Sequence, residues 1–391
     1  MRAALVVFCK ECRESLRDRR VLTNTLLLGP LLGPLIFLVI MRLVVGHELE
    51  KAERPLPVVV IGAARAPELV AALRQLGMAA RPPVADPELA VREQRIDLAL
   101  RIAPGFAEDW QAGRPAEVEI IYDASRREAG SDVERLRAML DGYSRRHGVL
   151  RLLARGLAPG LISPLIIAAR DQATPQARGA LLFGMLPYML ILTIFIGGLW
   201  LATDSTAGER ERQSLEPLLI NPVPRDRILL GKLLATACFS LASLCLGLLA
   251  FAIVGRFMPT EQLGRSLALG THFVAVALPA LLPLVLLICT AQVLIAAFAR
   301  SVREAQTYLG LAQLVPVIPS ILLSVMPVKA QLWMYAVPLL GQQLTLMRLL
   351  RAESVAGLGL ALSALVTLLA VLLLFALARR VYESERLAIS S

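Results

Sequence analysis

The side chains best suited to chemistry lie in one charged segment, which runs from Asp204 to Lys232 between two long uncharged runs. Acidic and basic residues alternate near its start, in the order E-R-E-R over 209–212. The segment ends on Gly231-Lys232, but the sequence nowhere contains G-x-x-x-x-G-K-[ST], the loop that holds nucleotide phosphates. The chain is therefore not expected to bind ATP in that way.

Local patterns predict a short helix inside this segment. Thr206 and Glu209 have the spacing of a capping box, in which the Thr206 hydroxyl accepts from the Glu209 amide. Leu215, Leu218 and Leu219 then form an apolar stripe. We expect a helix lying across the inner membrane face, and the residues alone leave open whether it contacts a partner or is a solvated loop.

The uncharged runs predict an α-helical integral membrane protein. Of the 391 residues, 56% are apolar, against about 45–50% in soluble proteins. The excess is concentrated in runs of about twenty residues, the length that a helix needs to cross a bilayer. Six transmembrane helices are expected, at 21–45, 180–202, 228–254, 272–298, 308–325 and 355–377.

Basic residues give the chain a net charge of +10, and many of them flank the apolar runs. No aromatic and basic platform accompanies them, which argues against nucleic-acid binding. The Arg-rich short links predict that both termini face the cytoplasm. The abundance of Ala, Leu and Arg points to a bacterium, so we expect a bacterial plasma membrane. The tail at 378–391 then lies inside, and the long segment at 46–178 lies outside.

The segment at 46–178 has the composition of a soluble domain. Strand patterns such as LPVVVIG, IDLALRI and VEIIYD alternate with helical patterns, which predicts an extracytoplasmic α/β domain between the first two spans. Asp123, Asp132 and Glu134 are either cation ligands or solvated surface acids. The segment has no cysteine, so it contains no disulfide.

Residues 1–20 predict an amphipathic helix in the headgroup plane, with membrane lipid as its partner. Leu5, Cys9, Cys12 and Leu16 recur at helical spacing and form its apolar face. Cys9 and Cys12 form a lone C-x-x-C without a second pair or a nearby histidine, so we expect packing residues and no metal site.

The charged segment resembles the signature of ABC-2 type permeases, close to the sodium-exporting NatB group. The opening "KECRESLRDRR" and the order of one span, a large outer domain and five spans are similar too. Gln213 departs from the glycine that the family often has. The matching positions are Thr206, Ala207, Gly208, Glu209, Arg210, Glu211, Arg212, Ser214, Leu215, Glu216, Leu218, Leu219, Pro222, Val223, Arg225, Gly231 and Lys232.

The resemblance implies that 204–227 is a loop with a coupling helix, which docks on a separate ABC ATPase subunit. ATP and Mg would then be bound by that partner, while this chain would be a transport subunit and no enzyme. Six spans, with 228–377 holding the last four, are half of such a transporter, which implies a second permease copy or a paralogue. The implied coupling residues are Thr206, Gly208, Glu209, Arg210, Glu211, Arg212, Leu215, Glu216, Leu218, Leu219, Pro222 and Arg225.

The cargo is not fixed by the residues. Neutral oxygens in the spans could replace part of the water shell of a sodium ion, or they could bond neighbouring helices. The resemblance favours sodium export, with a drug, a lipid or another amphipathic organic molecule as the alternative, and a non-transporting sensor or scaffold from another class. The polar residues expected on the path are Asn24, Thr25, Thr193, Thr290, Gln292 and Gln313.

Overall fold

A computed structural model describes residues 2–125, 127–158, 160, 184–212, 223–257, 269–325 and 330–383. The chain divides into two compact units. One comprises residues 1–46 with 172–391, and the other comprises residues 47–171. Each unit has its own apolar core.

The prediction of a helical protein with six apolar spans is confirmed. Within the described residues, six helical segments are long and apolar enough to cross a membrane, and each overlaps a predicted span. They are Arg19–Leu43, Leu186–Glu211, Arg225–Arg256, Thr271–Phe298, Val302–Leu323 and Gly357–Glu383.

Three helices open the chain. Helix α1 covers Arg2–Arg17, and α2 covers Arg19–Leu22 after Asp18, whose carboxylate accepts from the Arg20 amide. A π-helical turn at Thr23–Leu28 then leads into α3, Gly29–Glu53.

The unit at 47–171 is built on a four-stranded sheet. The strands are β1 (Leu56–Ile61), β2 (Met78–Arg81), β3 (Leu98–Ile102) and β4 (Val118–Tyr122), in the order β2-β1-β3-β4. β1 pairs in parallel with β2 and β3, and β4 runs antiparallel to β3. The helices are α4 (Pro67–Gln75), α5 (Pro87–Arg92), α6 (Phe106–Gln111) and α7 (Arg127–Ala154).

Apolar side chains on the strands and on α4 and α7 form the core of this unit. Val58, Leu73, Leu100 and Leu136 are fully buried there. β2 and α5 have no counterpart among the predicted elements. The sequence of β2 is Met-Ala-Ala-Arg, which has none of the branched or aromatic residues that favour strands.

The remaining helices belong to the unit formed by residues 1–46 and 172–391, which we call the membrane unit because it contains the six apolar segments. They are α8 (Leu186–Thr203), α9 (Glu209–Glu211), α10 (Arg225–Arg256), α11 (Thr271–Phe298), α12 (Val302–Ala312), α13 (Val317–Val325), α14 (Leu340–Leu350) and α15 (Gly357–Glu383). The turn after α12 contains Pro316 and interrupts the fifth apolar segment. At about 1.5 Å per residue, the eleven-residue α14 is too short to cross a bilayer.

Helices α8, α10 and α11 form the centre of the membrane unit, with Leu190, Leu244 and Leu284 fully buried. α8 lies very close to α10, because a Cβ at Gly197 would come within 2.8 Å of the Ser240 Cα. Small residues at such positions let helix backbones approach. The close packing positions the end of α8, where the charged segment begins.

Candidate functional site

The charged segment begins as a continuation of α8. A π-helical turn at Asp204–Gly208 connects α8 to α9, so the chain is helical from Leu186 to Glu211. The predicted capping box at Thr206 is therefore wrong. A capping residue needs non-helical backbone angles, whereas Thr206 lies inside the π-helical turn that continues α8.

Two lysines and two glutamates meet at the end of this helix, and we call them the charge cluster. Lys10 and Glu11 come from α1, Glu209 from α9 and Lys232 from α10. The Lys10 Nζ lies 2.6 Å from the Glu209 Oε1, and the Lys232 Nζ donates to the Glu209 Oε2. The Glu11 Oε1 lies 3.7 Å from the Lys232 Nζ and 3.4 Å from the Lys10 Nζ.

Burial makes these charges depend on one another. Lys232 is 0% exposed, Glu11 3% and Glu209 6%, while the Lys10 side chain is 38% exposed. Removing a charge from water costs several kcal/mol unless a partner compensates it. Two positive and two negative groups compensate here, and the Ser205 carbonyl also accepts from Lys232. The loss of any buried member would leave the others poorly compensated.

The two residues on α1 have shifted proton affinities. Burial raises the pKa of the Glu11 carboxyl, and the nearby Lys232 ammonium opposes this shift without cancelling it. Burial lowers the pKa of the Lys10 ammonium, but its hydrogen bond to Glu209 and the surrounding carboxylates outweigh burial and raise the pKa. Of these two residues, Glu11 is thus the one whose charged form is disfavoured in the folded protein.

The contact between α1 and α10 brings Glu11 to the cluster. The buried residues of α1 are Ala4, Val7, Glu11 and Ser15. At Gly231 of α10, an added Cβ would lie 2.7 Å from both the Ala4 carbonyl oxygen and the Val7 Cβ. Only a glycine allows the two helices to approach this closely.

Most of the predicted apolar stripe of α1 lies elsewhere on the helix. Leu5 is 64% exposed and Leu16 57%, Cys9 is exposed and Cys12 is half-buried. The three exposed residues therefore lie away from the contact with α10, whereas Cys12 packs against a cluster that contains Phe239 of α10. Burial raises the pKa of the Cys12 thiol to about 11.

The other charged residues of the segment contact neighbouring helix ends. The Arg210 guanidinium donates to the Ala299 carbonyl at 3.4 Å, and the Glu211 carboxylate accepts from the Val302 amide at 2.9 Å. Both contacts hold the link between α11 and α12. The Arg212 guanidinium lies 2.8 Å from the Asp204 carboxylate.

Arg225, at the start of α10, extends these contacts to the last helix. Its guanidinium donates to the carbonyls of Tyr382 and Glu383 at 3.0 and 3.1 Å, and these carbonyls end α15. A cation is favourable at a helix C-terminus, where carbonyls lack partners within the helix. The described part of the segment thus contacts α1, the α11–α12 link and α15.

The expected coupling residues fall into two groups. Thr206 and Gly208 are buried in the π-helical turn, and Glu209, Arg210, Glu211, Arg212 and Arg225 make the contacts given above. Five others lie outside the described residues, namely Leu215, Glu216, Leu218, Leu219 and Pro222.

Three of the residues expected on the path make hydrogen bonds to helix backbones. The hydroxyls of Thr193 and Thr290 donate to carbonyls one turn earlier, at 3.0 and 2.7 Å. The Gln292 amide of α11 donates to the Phe195 carbonyl of α8 at 2.7 Å. Gln292 therefore bonds two neighbouring helices, whereas Thr193 and Thr290 donate within their own helices.

The other three path residues lie at helix irregularities. Asn24 and the buried Thr25 are in the π-helical turn after α2, and Gln313 follows the last residue of α12. π-helical turns are frequent at functional sites, although the turn alone assigns no ligand.

Within the residues that the structure describes, no group of three His, Cys, Asp or Glu side chains could hold a metal ion. One of the acids considered above, Asp123, accepts from the Ser125 amide and hydroxyl at 2.9 and 2.7 Å.

The sequence patterns did not predict the charge cluster. Lys232 was assigned only to the family signature, and Glu11 was not singled out. A signal for Glu11 was present, because Ala4, Val7, Glu11 and Ser15 recur at spacings of three and four, as one helix face does. That face is small and polar, and the larger side chains of the apolar stripe form the more conspicuous helical pattern.

Comparison with known proteins gives two matches. A family profile described as "ABC-2 family transporter protein" matches residues 5–387. The chain is 28% identical over 319 residues to the ABC transporter permease protein NatB of Bacillus subtilis (strain 168), and the match covers 80% of each chain. No solved structure matches the chain.

Proposed function

The chain belongs to the ABC-2 family of transporter proteins, and from that premise we propose that it is the membrane permease subunit of an ATP-driven exporter. A separate ATPase subunit binds ATP and Mg, because this sequence has no phosphate loop. This chain forms the translocation path and carries no catalytic residue of its own.

The charge cluster is the observation that carries the proposal. Glu209 lies at the start of the charged segment and bonds both to Lys10 on α1 and to the fully buried Lys232 on α10. A force applied to the segment therefore reaches two helices through charge-assisted hydrogen bonds, which are stronger than neutral ones. Arg210, Glu211 and Arg225 extend the same connection to α11, α12 and α15.

The contacts suggest a division of labour within the segment. Residues 204–212 and Arg225 contact other residues of this chain, so they are suited to transmit motion from the segment to the helices. We propose that the ATPase surface is met by Leu215, Glu216, Leu218, Leu219 and Pro222, with membrane lipid against the apolar stripe of α1.

Sodium is the proposed cargo. Its support is the set of neutral oxygens in the spans, which includes the fully buried Gln292, together with the relation to the NatB permease. A drug, a lipid or another amphipathic molecule is the alternative cargo. Large apolar side chains such as Leu35 on α3, Ile318 on α13 and Leu373 on α15 are exposed. Their exposure supports contacts with a second copy or a paralogue as well as with lipid.

Transport by inverted vesicles tests both parts of the proposal. The permease is reconstituted with and without its ATPase, and ²²Na⁺ uptake is followed together with ATP hydrolysis. We expect sodium uptake that requires both subunits and tracks hydrolysis. Hydrolysis stimulated only by a hydrophobic compound would replace sodium with an organic cargo. Hydrolysis without any transport would favour the sensor or scaffold.

A matched pair of variants tests the coupling route. Glu211→Gln removes the carboxylate that accepts from the Val302 amide. Glu14→Gln removes an exposed carboxylate of α1, whose ion pair with Lys10 at 3.7 Å is screened by solvent. We expect Glu211→Gln to lower the number of ions moved per ATP severalfold, with Glu14→Gln near wild type. Equal ratios for the two variants would argue against the route.

A further inference from the structure

The α/β unit contains an open cavity of about 280 Å³ between the start of α4, α6 and α7. We propose that this cavity binds a small organic cation, in which an ammonium group is carried on an apolar or aromatic body. Its volume lies just below the range of about 300–1,000 Å³ for small-ligand pockets, so the ligand is small. The residues that matter are Phe106, Trp110, Tyr143, Glu68 and Arg65.

Three aromatic rings form one wall of the cavity. The rings of Phe106 and Trp110 stack with centroids 5.7 Å apart and planes 11° apart. Trp110 also stacks with Tyr143, at 5.6 Å and 24°. Each ring is held by its neighbours, so the wall needs little ordering when a ligand binds.

The same aromatic group already accepts a cation. The Arg151 guanidinium lies 4.2 Å from the centre of the Trp110 ring and donates to the Trp110 carbonyl at 2.6 Å. Aromatic faces carry partial negative charge, and tryptophan attracts cations most strongly. A ligand ammonium at the open side of Phe106, Trp110 and Tyr143 would gain the same type of interaction.

Glu68 supplies the opposite charge. It lies in the first turn of α4 and lines the cavity, and it makes no ion pair with any side chain in the part of the chain that the structure describes. Burial and the nearby Glu68 carboxylate raise the pKa of the Tyr143 hydroxyl, and the Arg151 guanidinium opposes this shift. Glu68 and Tyr143 line the same cavity, so a ligand ammonium can contact both.

Arg65 and Arg151 are the two groups that could favour an anion instead, and Arg151 is held at the ring and the carbonyl of Trp110. The Arg65 Nη1 donates to the Ile102 carbonyl at 2.8 Å, so part of that guanidinium is already held at the end of β3. The aromatic wall adds attraction for a cation and none for an anion. The aromatic wall and Glu68 favour a cation, whereas the two arginines favour an anion, so the sign of the ligand charge is the property to test.

The test uses the full chain in detergent with 2-phenylethylammonium as the probe. Its anionic and neutral counterparts are 3-phenylpropionate and 2-phenylethanol. Trp110 fluorescence is followed in a Trp200→Phe/Trp333→Phe background, which leaves one of the three tryptophans. We expect saturable quenching by the ammonium, with an affinity at least tenfold above that of either counterpart.

Two carboxylate variants give the control. Glu68→Gln should weaken ammonium binding about two- to fivefold, the range for one partly exposed charge pair. Glu108→Gln, an exposed carboxylate on α6 that does not line the cavity, should bind as the unsubstituted chain does. Thermal unfolding of both variants checks that each is folded.

Three results would overturn the proposal. They are the absence of saturable quenching, tighter binding of 3-phenylpropionate that Arg65→Gln abolishes, and equal effects of Glu68→Gln and Glu108→Gln. The measurement uses neither nucleotide nor an ATPase subunit, so its outcome is independent of the coupling route proposed above.

Discussion

At the residue scale, Glu209 stands between two lysines that differ in their access to water. Lys10 is partly exposed and can be hydrated, whereas Lys232 is fully buried and depends on carboxylates. Glu209 and Lys232 are both in the family signature, 23 residues apart. Their pairing explains physically why both charges are present, although nothing in the sequence relates one to the other.

Glu209→Gln should therefore be strongly destabilising. Removal of one partner of a buried ion pair costs about 3–5 kcal/mol, because the remaining charge stays buried without compensation. We expect that loss in the free energy of unfolding, measured by denaturant titration of the purified chain. Glu14→Gln, whose side chain is 62% exposed, should change stability by less than about 0.5 kcal/mol.

A second substitution separates charge from shape. If the cost comes from the uncompensated Lys232 charge, Lys232→Met should recover part of the stability lost in Glu209→Gln, since it removes that charge at similar volume. Additive losses in the double variant would mean that the pair has no special coupling.

Glu11→Gln should have a different, pH-dependent effect. Burial raises the pKa of Glu11 above its ordinary value of 4.5, so the folded protein binds this proton more tightly than the unfolded chain does. The contribution of Glu11 to stability therefore falls as pH rises from 4.5 through the raised pKa. Glutamine lacks this titration, so the stability of the variant relative to wild type should increase with pH over that window.

Thermal unfolding of the two proteins at several pH values between 4.5 and 8 measures this difference. A relative stability that stays constant, or that decreases as pH rises, would contradict a raised pKa at Glu11.

At the element scale, the fit of α1 against α10 depends on Gly231. A methyl group there would meet the Ala4 carbonyl oxygen and the Val7 Cβ at 2.7 Å, so one helix must move. We expect Gly231→Ala to cost about 1–3 kcal/mol and to displace α1, which exposes its arginines to trypsin. It should also reduce transport per ATP, since α1 carries Lys10 and Glu11.

Gly310→Ala is the matched control for that experiment. Gly310 lies in α12, and nothing lies within 4 Å of the position its Cβ would take. Its proteolysis pattern and transport ratio should stay close to wild type. A Gly231→Ala protein that also behaves as wild type would show that the close approach of α1 is not needed.

At the scale of the whole molecule, the proposed orientation can be tested by labelling single cysteines in cells. In a background without the five native cysteines, Ala64→Cys lies on the α/β unit and Arg303→Cys lies on the first turn of α12. Both positions are exposed. A membrane-impermeant maleimide should label Ala64→Cys in intact cells, and Arg303→Cys only after the membrane is permeabilised. The reverse pattern would invert the proposed topology.

The sequence by itself determined the features that depend on local composition. Runs of about twenty apolar residues predicted six spans, because a helix of that length is the simplest structure that satisfies its backbone in lipid. The alternation of strand and helix patterns predicted β1, β3 and β4 in the same way. The signature from Thr206 onward pointed to the family that the comparisons show.

Only the tertiary structure decided which charges meet. Glu11 and Lys232 are 221 positions apart, and no local pattern relates a charge on one helix to a charge on another. The same limit explains the error at Thr206, whose spacing fits a cap. The π-helical turn that continues α8 is packed against α11 and buries Thr206 inside a helix. Long-range packing fixes such contacts, because burial determines whether a charged or polar side chain must find a partner.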